Sequence, residues 1–414
     1  MSLKSEFLRD TFVMTIMVTL SNFFNYIYQL FMGRLLTPEE YGELFSLFSL
    51  FYIFSVFFIT IDTSVTKFTS ICKTRREYGK IKTLLLKLSK DLVIAGGIIF
   101  FAIVLLSSYI SSFLNIEDPL PMVVLFASIP FALVLPVYQG VLRGLQRFKA
   151  LGISMFSWSV FRLLLGLTLV LLGFGIIGAV SGTFLAYLMS FLITLIFLMD
   201  VLKIKENTEI SLRSIVSYGG ISFLAIFAYT TMWNIDVILA KHYLSPLEAG
   251  EYSAVSVLGK ITLFAPWAVS LVIFPKVAEM YEKGERSTKI LVEGLVITSL
   301  ISGGVVLTYA LFPEFVIRTV YGERYLTISP YIWRYGLAMT LFSLANVLIN
   351  YLLSINETNI SLSLLSLLTI EVVLLSVGGG NIQSIINMLT IVSILTLITL
   401  LIHVIKCTPT QNSL

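Results

Sequence analysis

The sequence predicts an all-α integral membrane protein with twelve transmembrane helices in two six-helix bundles. Three observations predict it: an apolar composition, apolar runs of membrane-spanning length, and a segment that recurs at half the chain length. Of the 414 residues, 57% are hydrophobic and 13% are charged, and the mean hydropathy is +0.94. Soluble domains average about 45–50% apolar and about 25% charged. A soluble globule, a disordered chain and a disulfide-stapled secreted scaffold are therefore excluded. Two cysteines, Cys72 and Cys407, and two histidines, His242 and His403, leave little for a metal site. No metal and no cofactor are expected.

A helical span needs about 20 mostly apolar residues to cross a hydrocarbon core of about 30 Å. Runs of this kind, bounded by charges, Pro and Gly, occupy 11–33, 42–65, 88–112, 120–142, 151–172 and 176–199. Six more occupy 214–240, 250–274, 291–312, 330–352, 360–377 and 383–405. The runs are continuously apolar and do not alternate, which favours helices over barrel strands. The first is longer than a signal-peptide core and lacks a small-residue cleavage site, so it is expected to persist as the first helix.

Basic residues set the orientation. With the N-terminus in the cytoplasm, inner segments hold 21 Lys and Arg and outer segments hold 5. The opposite topology would reverse that split. Both termini are therefore expected on the cytoplasmic side of the cell membrane. The loop from Lys67 to Lys90 carries eight basic residues against the single acid Glu77. Besides fixing topology, it would attract anionic head groups.

An internal repeat marks two halves. Leu36, Pro38, Glu40, Gly42 and Glu43 recur as Leu244, Pro246, Glu248, Gly250 and Glu251, all 208 residues later. Thr37 pairs with Ser245. Each segment reads as a helix start: Thr or Ser at the cap, Pro in the first turn, Glu three residues after the cap. The expected bundles are 1–205 and 206–414. Both repeats start on the same side, so a pseudo-two-fold axis would run along the membrane normal.

The ordered segments FMGRLLTPEEYGE (31–43), GVLRGLQRFK (140–149), WNIDVILAKHYLSPLEAGEY (233–252), FPKVAEMY (274–281) and YGERY (321–325) carry a family resemblance. The chain resembles the polysaccharide, or O-antigen, flippases of the multidrug/oligosaccharidyl-lipid/polysaccharide exporter superfamily. The resemblance implies two bundles facing a central cavity and alternating access. It implies transport of a polyprenyl-diphosphate-linked oligosaccharide from the cytoplasmic to the outer leaflet, for surface polysaccharide biosynthesis. It supplies no invariant catalytic motif, and the protein is not expected to be an enzyme.

Site candidates follow from the cost of placing charge in a membrane. Arg162, midway along the fifth span, shares a face with Ser154 and Trp158. Its planar guanidinium suits a diphosphate, or else a structural ion pair. Lys260 and Asp236 lie on the hairpin of spans seven and eight and form either a switchable or a static pair. Asp62 lies near Lys67 at a span end. Glu371 is mid-span without a local partner and is a candidate for proton or ion coupling. Arg334, near the start of the tenth span, either joins the cavity or snorkels. In the first span Thr15, Thr19, Asn22, Tyr26 and Gln29 form one polar stripe. It would meet sugar hydroxyls or a neighbouring helix. Arg162, Lys260, Arg334, Asn22, Tyr26 and Gln29 are thus the cargo candidates; Asp62, Asp236 and Glu371 are the ion-coupling or ion-pair candidates.

The expected partners are the lipid-linked oligosaccharide, membrane lipids, and H⁺ or Na⁺; no nucleic acid partner is expected, and the protein is expected to be a monomer. No GxxxxGK[ST] motif is present, so no ATPase is built in. Two alternatives stand: a Na⁺- or H⁺-coupled exporter of small amphipathic molecules, and a membrane-embedded glycan polymerase or ligase. The polymerase or ligase would want a large outer loop, and the outer gaps here are short.

Overall fold

The computed structural model describes residues 3–205, 213–282, 285, 287–355, 357 and 359–407. Among them there are seventeen α-helices and no strands. In chain order they are α1 (Leu3–Leu35), α2 (Pro38–Ile53), α3 (Ser55–Thr74), α4 (Tyr78–Phe113), α5 (Leu120–Phe126), α6 (Ile129–Gly144), α7 (Phe148–Leu169), α8 (Gly175–Phe197) and α9 (Met199–Leu202). There follow α10 (Arg213–Tyr243), α11 (Pro246–Phe264), α12 (Trp267–Glu282), α13 (Thr288–Leu311), α14 (Pro313–Val320), α15 (Ile332–Ser354), α16 (Ile360–Gly378) and α17 (Ile382–Cys407). Among the described residues, nine helical stretches are long and apolar enough to cross a membrane. One of them, Phe148–Phe197, holds the fifth and sixth expected spans together. The two are divided by a π-turn at Val170–Phe174, where Gly173 (φ 91°) and Gly175 (φ 49°) take backbone angles that side chains resist.

Breaks inside spans have readable causes at two places. α5 and α6 part just before Pro130, and α11 and α12 part at Pro266. Each proline lacks the N–H that would continue the helix. A third break, between α2 and α3, falls at Phe54 without Pro or Gly, and a tight Phe57 N–H to Phe54 O bond turns the chain there.

The chain forms two compact units. Unit 1 comprises residues 1–36 and 54–220, and unit 2 comprises residues 37–53 and 221–414. The Phe54 break is therefore also a unit boundary: α2 belongs to unit 2, and α3, the rest of the same expected span, belongs to unit 1.

In unit 1, α3 and α4 pack on α6, α5 and α6 pack on α8, and α7 packs on both α1 and α8. In unit 2, α11, α12 and α13 pack on α15, and α17 packs on α15 and α16. The second, third, fourth, fifth and sixth helical spans of each half thus repeat the same neighbours. Small residues let α7 approach closely. A Cβ on Gly152 would meet Met17 at 2.8 Å, and one on Gly166 would meet Tyr28 at 2.8 Å. In unit 2, a Cβ on Gly250 would lie 1.8 Å from the Pro38 carbonyl, and one on Gly42 would lie 2.7 Å from the Gly250 nitrogen. The two repeated glycines are thus where α2 crosses α11.

Exposed apolar side chains form lengthwise stripes. On α4 these are Val93, Ile94, Ile98, Phe101, Leu105 and Tyr109, exposed by 49–75%. Helical spacing puts them on one face, and an exposed apolar face of that length matches lipid.

Candidate functional site

Each unit contains a buried polar centre. In unit 1 it is built around Arg162 on α7, which is 2% exposed. Its Nε donates to Thr183 Oγ1 on α8 (3.3 Å) and its Nη1 to Asn25 Oδ1 on α1 (3.3 Å). The guanidinium lies 4.2 Å from the centre of the Tyr28 ring and 5.3 Å from that of Trp158. Tyr28 is itself held by its hydroxyl, which donates to the Ala179 carbonyl at 3.1 Å. Two aromatic faces and two neutral acceptors therefore surround a permanent charge. The expected neighbour Ser154 instead joins Gln139 (3.0 Å) and Thr194 (2.6 Å) in a separate hydrogen-bond chain.

The expected stripe of α1 is not the face that touches Arg162. Asn25 and Tyr28 make that contact, about a quarter turn from Asn22, Tyr26 and Gln29. Asn22 is exposed, and Tyr26 and Gln29 are half-buried. Gln29 Oε1 and Trp158 Nε1 are each buried without a hydrogen-bond partner in the protein. The side chain of Thr15 lies outside the described residues.

In unit 2 the centre is Asp236 on α10, fully buried. Its Oδ2 accepts from Tyr252 on α11 (2.8 Å) and from Tyr335 on α15 (2.7 Å). Tyr335 also meets Ser256 at 2.9 Å. Asp236 Oδ1 has no hydrogen-bond partner. Lys260 forms no salt bridge with it but interacts with it electrostatically, and the ammonium lies over the Trp233 ring, 5.5 Å from its centre. Glu371 on α16 is fully buried, neither carboxyl oxygen has a hydrogen-bond partner, and it interacts electrostatically with Asp236.

Asp62 on α3, half-buried, pairs with Arg143 on α6. Close by, Lys73 donates to the Leu145 carbonyl (3.0 Å) and to Gln146 (2.7 Å). Arg147 grips the Phe197 carbonyl (3.0 Å) and Asp200. Arg334 on α15 bonds Gln383 on α17.

Sequence reasoning identified the charged members of both centres but missed their partners: Asn25, Tyr28 and Thr183 for Arg162, Tyr252 and Tyr335 for Asp236, Arg143 for Asp62. One signal was available. Gly152, Ser159 and Gly166 recur every seven residues on α7, the mark of a close-packed helix contact. That ridge faces α1.

Comparison with known proteins adds three results. The family described as "Polysaccharide biosynthesis protein" matches residues 7–281. No curated protein sequence matches the chain. Among solved structures, the chain is similar to an inward-facing multidrug-resistance MATE family transporter of the MOP superfamily, with 13% identity over 95% of this chain and 96% of that one, TM-score 0.82. It is similar to the lipid II flippase MurJ in an inward closed conformation, with 14% identity over 95% and 87%, TM-score 0.71. It is also similar to a MOP superfamily transporter from Pyrococcus furiosus, described as having a binding pocket of reverse polarity, with 16% identity over 97% and 94%, TM-score 0.62. At such identities the likeness is one of fold.

Proposed function

We propose that this chain, which belongs to the polysaccharide biosynthesis protein family, is a multi-pass transporter that flips a polyprenyl-diphosphate-linked oligosaccharide from the cytoplasmic to the outer leaflet. The relatives in hand are transporters and flippases, and the chain shares their fold. Twelve crossings in two bundles would put both termini on one side, and the 21-to-5 division of basic residues supports the cytoplasm as that side. Alternating access of the two bundles would carry the cargo across.

The observation that carries the reading is the Arg162 centre in unit 1. A guanidinium held by Asn25, Thr183 and two aromatic rings keeps its charge while buried. It gives the interior a positive field of the sign a diphosphate needs. A quarter turn away, Asn22, Tyr26 and Gln29 offer neutral donors and acceptors for sugar hydroxyls. Gln29 Oε1, buried without a protein donor, would accept from a hydroxyl brought beside it. Arg162 acts as a positioning residue and field source, and the α1 stripe makes the contacts. Arg162→Ala is expected to abolish glycan export, and Arg162→Lys to keep part of it. Full export by the alanine variant at normal expression would rule the role out.

Unit 2 would supply the coupling. An ionised carboxylate buried without a donor is expensive. Glu371, beside Asp236, therefore needs a proton or a small cation to cancel its charge. Tyr252, Tyr335 and Asp236 form the fixed side of that site. The same pair favours a second reading, a Na⁺- or H⁺-coupled exporter of small amphipathic molecules. Depletion of the protein separates the two. Accumulation of a polyprenyl-diphosphate glycan on the inner leaflet supports flipping, and normal outer-leaflet glycans with increased drug sensitivity support the exporter.

A further inference from the structure

The groove between α15 and α17 of unit 2 takes no part in either buried centre. It encloses about 470 Å³, within the range of small-molecule sites. Trp333, Arg334 and Leu337 form one wall, and Asn387, Thr390 and Ile391 the other. α15 and α17 run in the same direction, because α16 returns between them. Their first turns therefore lie at the same end. Arg334 and Gln383 are in those first turns; Leu337 lies about 4.5 Å beyond Arg334 and Ile391 about 12 Å beyond Gln383, at 1.5 Å per residue. The groove is thus charged and polar at its mouth and apolar along its depth. Its length matches half of a bilayer core.

The mouth is arranged around one cation. Arg334 bonds the Gln383 amide oxygen through a single nitrogen. The Gln383 amide nitrogen in turn donates to Asn387 Oδ1 at 2.7 Å. This chain fixes Arg334 and, by using the Asn387 amide oxygen, leaves the Asn387 amide nitrogen as a further donor. Arg334 forms no salt bridge among the described residues, so the remaining guanidinium donors stay available. Its guanidinium lies 5.5 Å from the centre of the Trp333 ring, and tryptophan prefers the head-group level of a membrane. Below the mouth, Ile391 leads into an exposed apolar row of Ile394, Leu395, Ile398, Ile402 and Ile405. Their spacing keeps them on one helix face, so the apolar end of the groove opens onto a lipid-like surface.

We propose that this groove is a binding site for one anionic phospholipid. Its phosphodiester sits on Arg334 and Asn387, Trp333 packs at the glycerol level, and an acyl chain lies along Leu337 and Ile391. Charge complementarity selects the ligand, because one uncompensated guanidinium above an apolar trough matches one phosphate above one chain. The site binds a resident lipid and is separate from the cargo path. Arg334 is thereby assigned to the lipid rather than to the cavity. The assignment does not depend on what the protein transports.

The test uses the full-length protein, purified in detergent and stripped of lipid, with phosphatidylglycerol or phosphatidylcholine added back. Native mass spectrometry reads the bound lipid, and thermal unfolding reads its stabilising effect. The expected result is one phosphatidylglycerol per chain and a concentration-dependent rise in Tm, with weaker binding of phosphatidylcholine. Arg334→Gln should lower phosphatidylglycerol affinity about tenfold, the loss expected for a charged hydrogen-bonded contact. Arg334→Lys should fall between. Ile391→Trp, at a half-exposed position, should block the trough with the charge intact. Unchanged phosphatidylglycerol binding in both Arg334→Gln and Ile391→Trp would overturn the proposal. Displacement of phosphatidylglycerol by a polyprenyl diphosphate at lower concentration would also overturn it, in favour of a cargo subsite.

Discussion

At the residue scale, three helix ends close with a side-chain-bearing residue in the left-handed region: Arg76 (φ 59°), Asn115 (φ 50°) and Gln146 (φ 63°). Each is followed by the two reversed backbone bonds of a Schellman cap, such as Glu77 N–H to Cys72 O at 2.9 Å and Arg76 N–H to Lys73 O at 3.1 Å. Glycine is the residue that adopts this geometry without strain. Arg76→Gly is expected to stabilise the protein by up to about 1 kcal/mol, read as a rise in Tm at unchanged fold. A fall in Tm would mean that the Arg76 side chain contributes more than its backbone costs. Asp200 gives a pH expectation. Its hydrogen bonds and ion pair with Arg147 hold its carboxyl below the usual aspartate value of 3.8. A lowered folded-state value means that the contribution is complete above that range and is lost as pH falls through the folded value. Because Asp200 is 58% exposed, the effect is small and salt-sensitive. Asp200→Asn should leave stability at pH 7 almost unchanged and flatten its decline below pH 4. An undiminished decline would place the acid sensitivity elsewhere.

The element scale is where the sequence was most and least informative. The Thr37 and Ser245 turns were legible because capping is local. Glu40 N–H donates to Thr37 Oγ1 (3.2 Å) while Thr37 N–H donates to Glu40 (2.9 Å), and Ser245 with Glu248 forms the same box. The apolar runs were legible as helical because apolar length is a local property, although three of them, 42–65, 120–142 and 250–274, are each divided between two helices. What the turns bring together was not. Asp62 and Arg143 are 81 residues apart, and Arg162 and Asn25 are 137 apart. Nothing in the local pattern encodes which of two helix faces will meet. The break at Phe54 has no proline to announce it, so the assignment of α2 to unit 2 was hidden as well. That assignment yields a prediction at Gly250. Any side chain there collides with the Pro38 backbone, which has no flexible end to yield. Gly250→Val should separate α2 from α11 and cost several kcal/mol, on the scale of overpacked cores, whereas Gly303→Val, where nothing lies within 4 Å, should be tolerated. Equal Tm values for the two variants would show that α2 is not packed this way.

For the whole molecule, orientation and transport belong together, since a flippase is defined by which leaflet it empties. With both termini in the cytoplasm, a cysteine introduced at Glu77, in a Cys72→Ser, Cys407→Ser background, should resist impermeant thiol reagents in intact cells and react after permeabilisation. Labelling in intact cells would invert the topology and with it the direction proposed for the cargo. The interior polarity differs between the units: a buried cation with neutral partners in unit 1, and in unit 2 a buried Asp236 with two tyrosine partners and a buried Glu371 without a hydrogen-bond partner. On the proposed function, a charge that anionic cargo would feel and a charge that a proton or Na⁺ would cancel belong to different units. Glu371→Gln is expected to remove the dependence of transport on the ion gradient and leave cargo binding in place.

Flipping is read directly as translocation in vesicles reconstituted with the purified protein and a fluorescent polyprenyl-diphosphate oligosaccharide. An impermeant sugar-oxidising reagent would report the leaflet. Wild-type protein is expected to make the inner-leaflet pool accessible from outside within minutes, and Arg162→Ala is expected not to. No gain of accessibility with correctly folded wild-type protein under an imposed H⁺ or Na⁺ gradient, alongside gradient-driven movement of a small amphipathic cation, would contradict flipping.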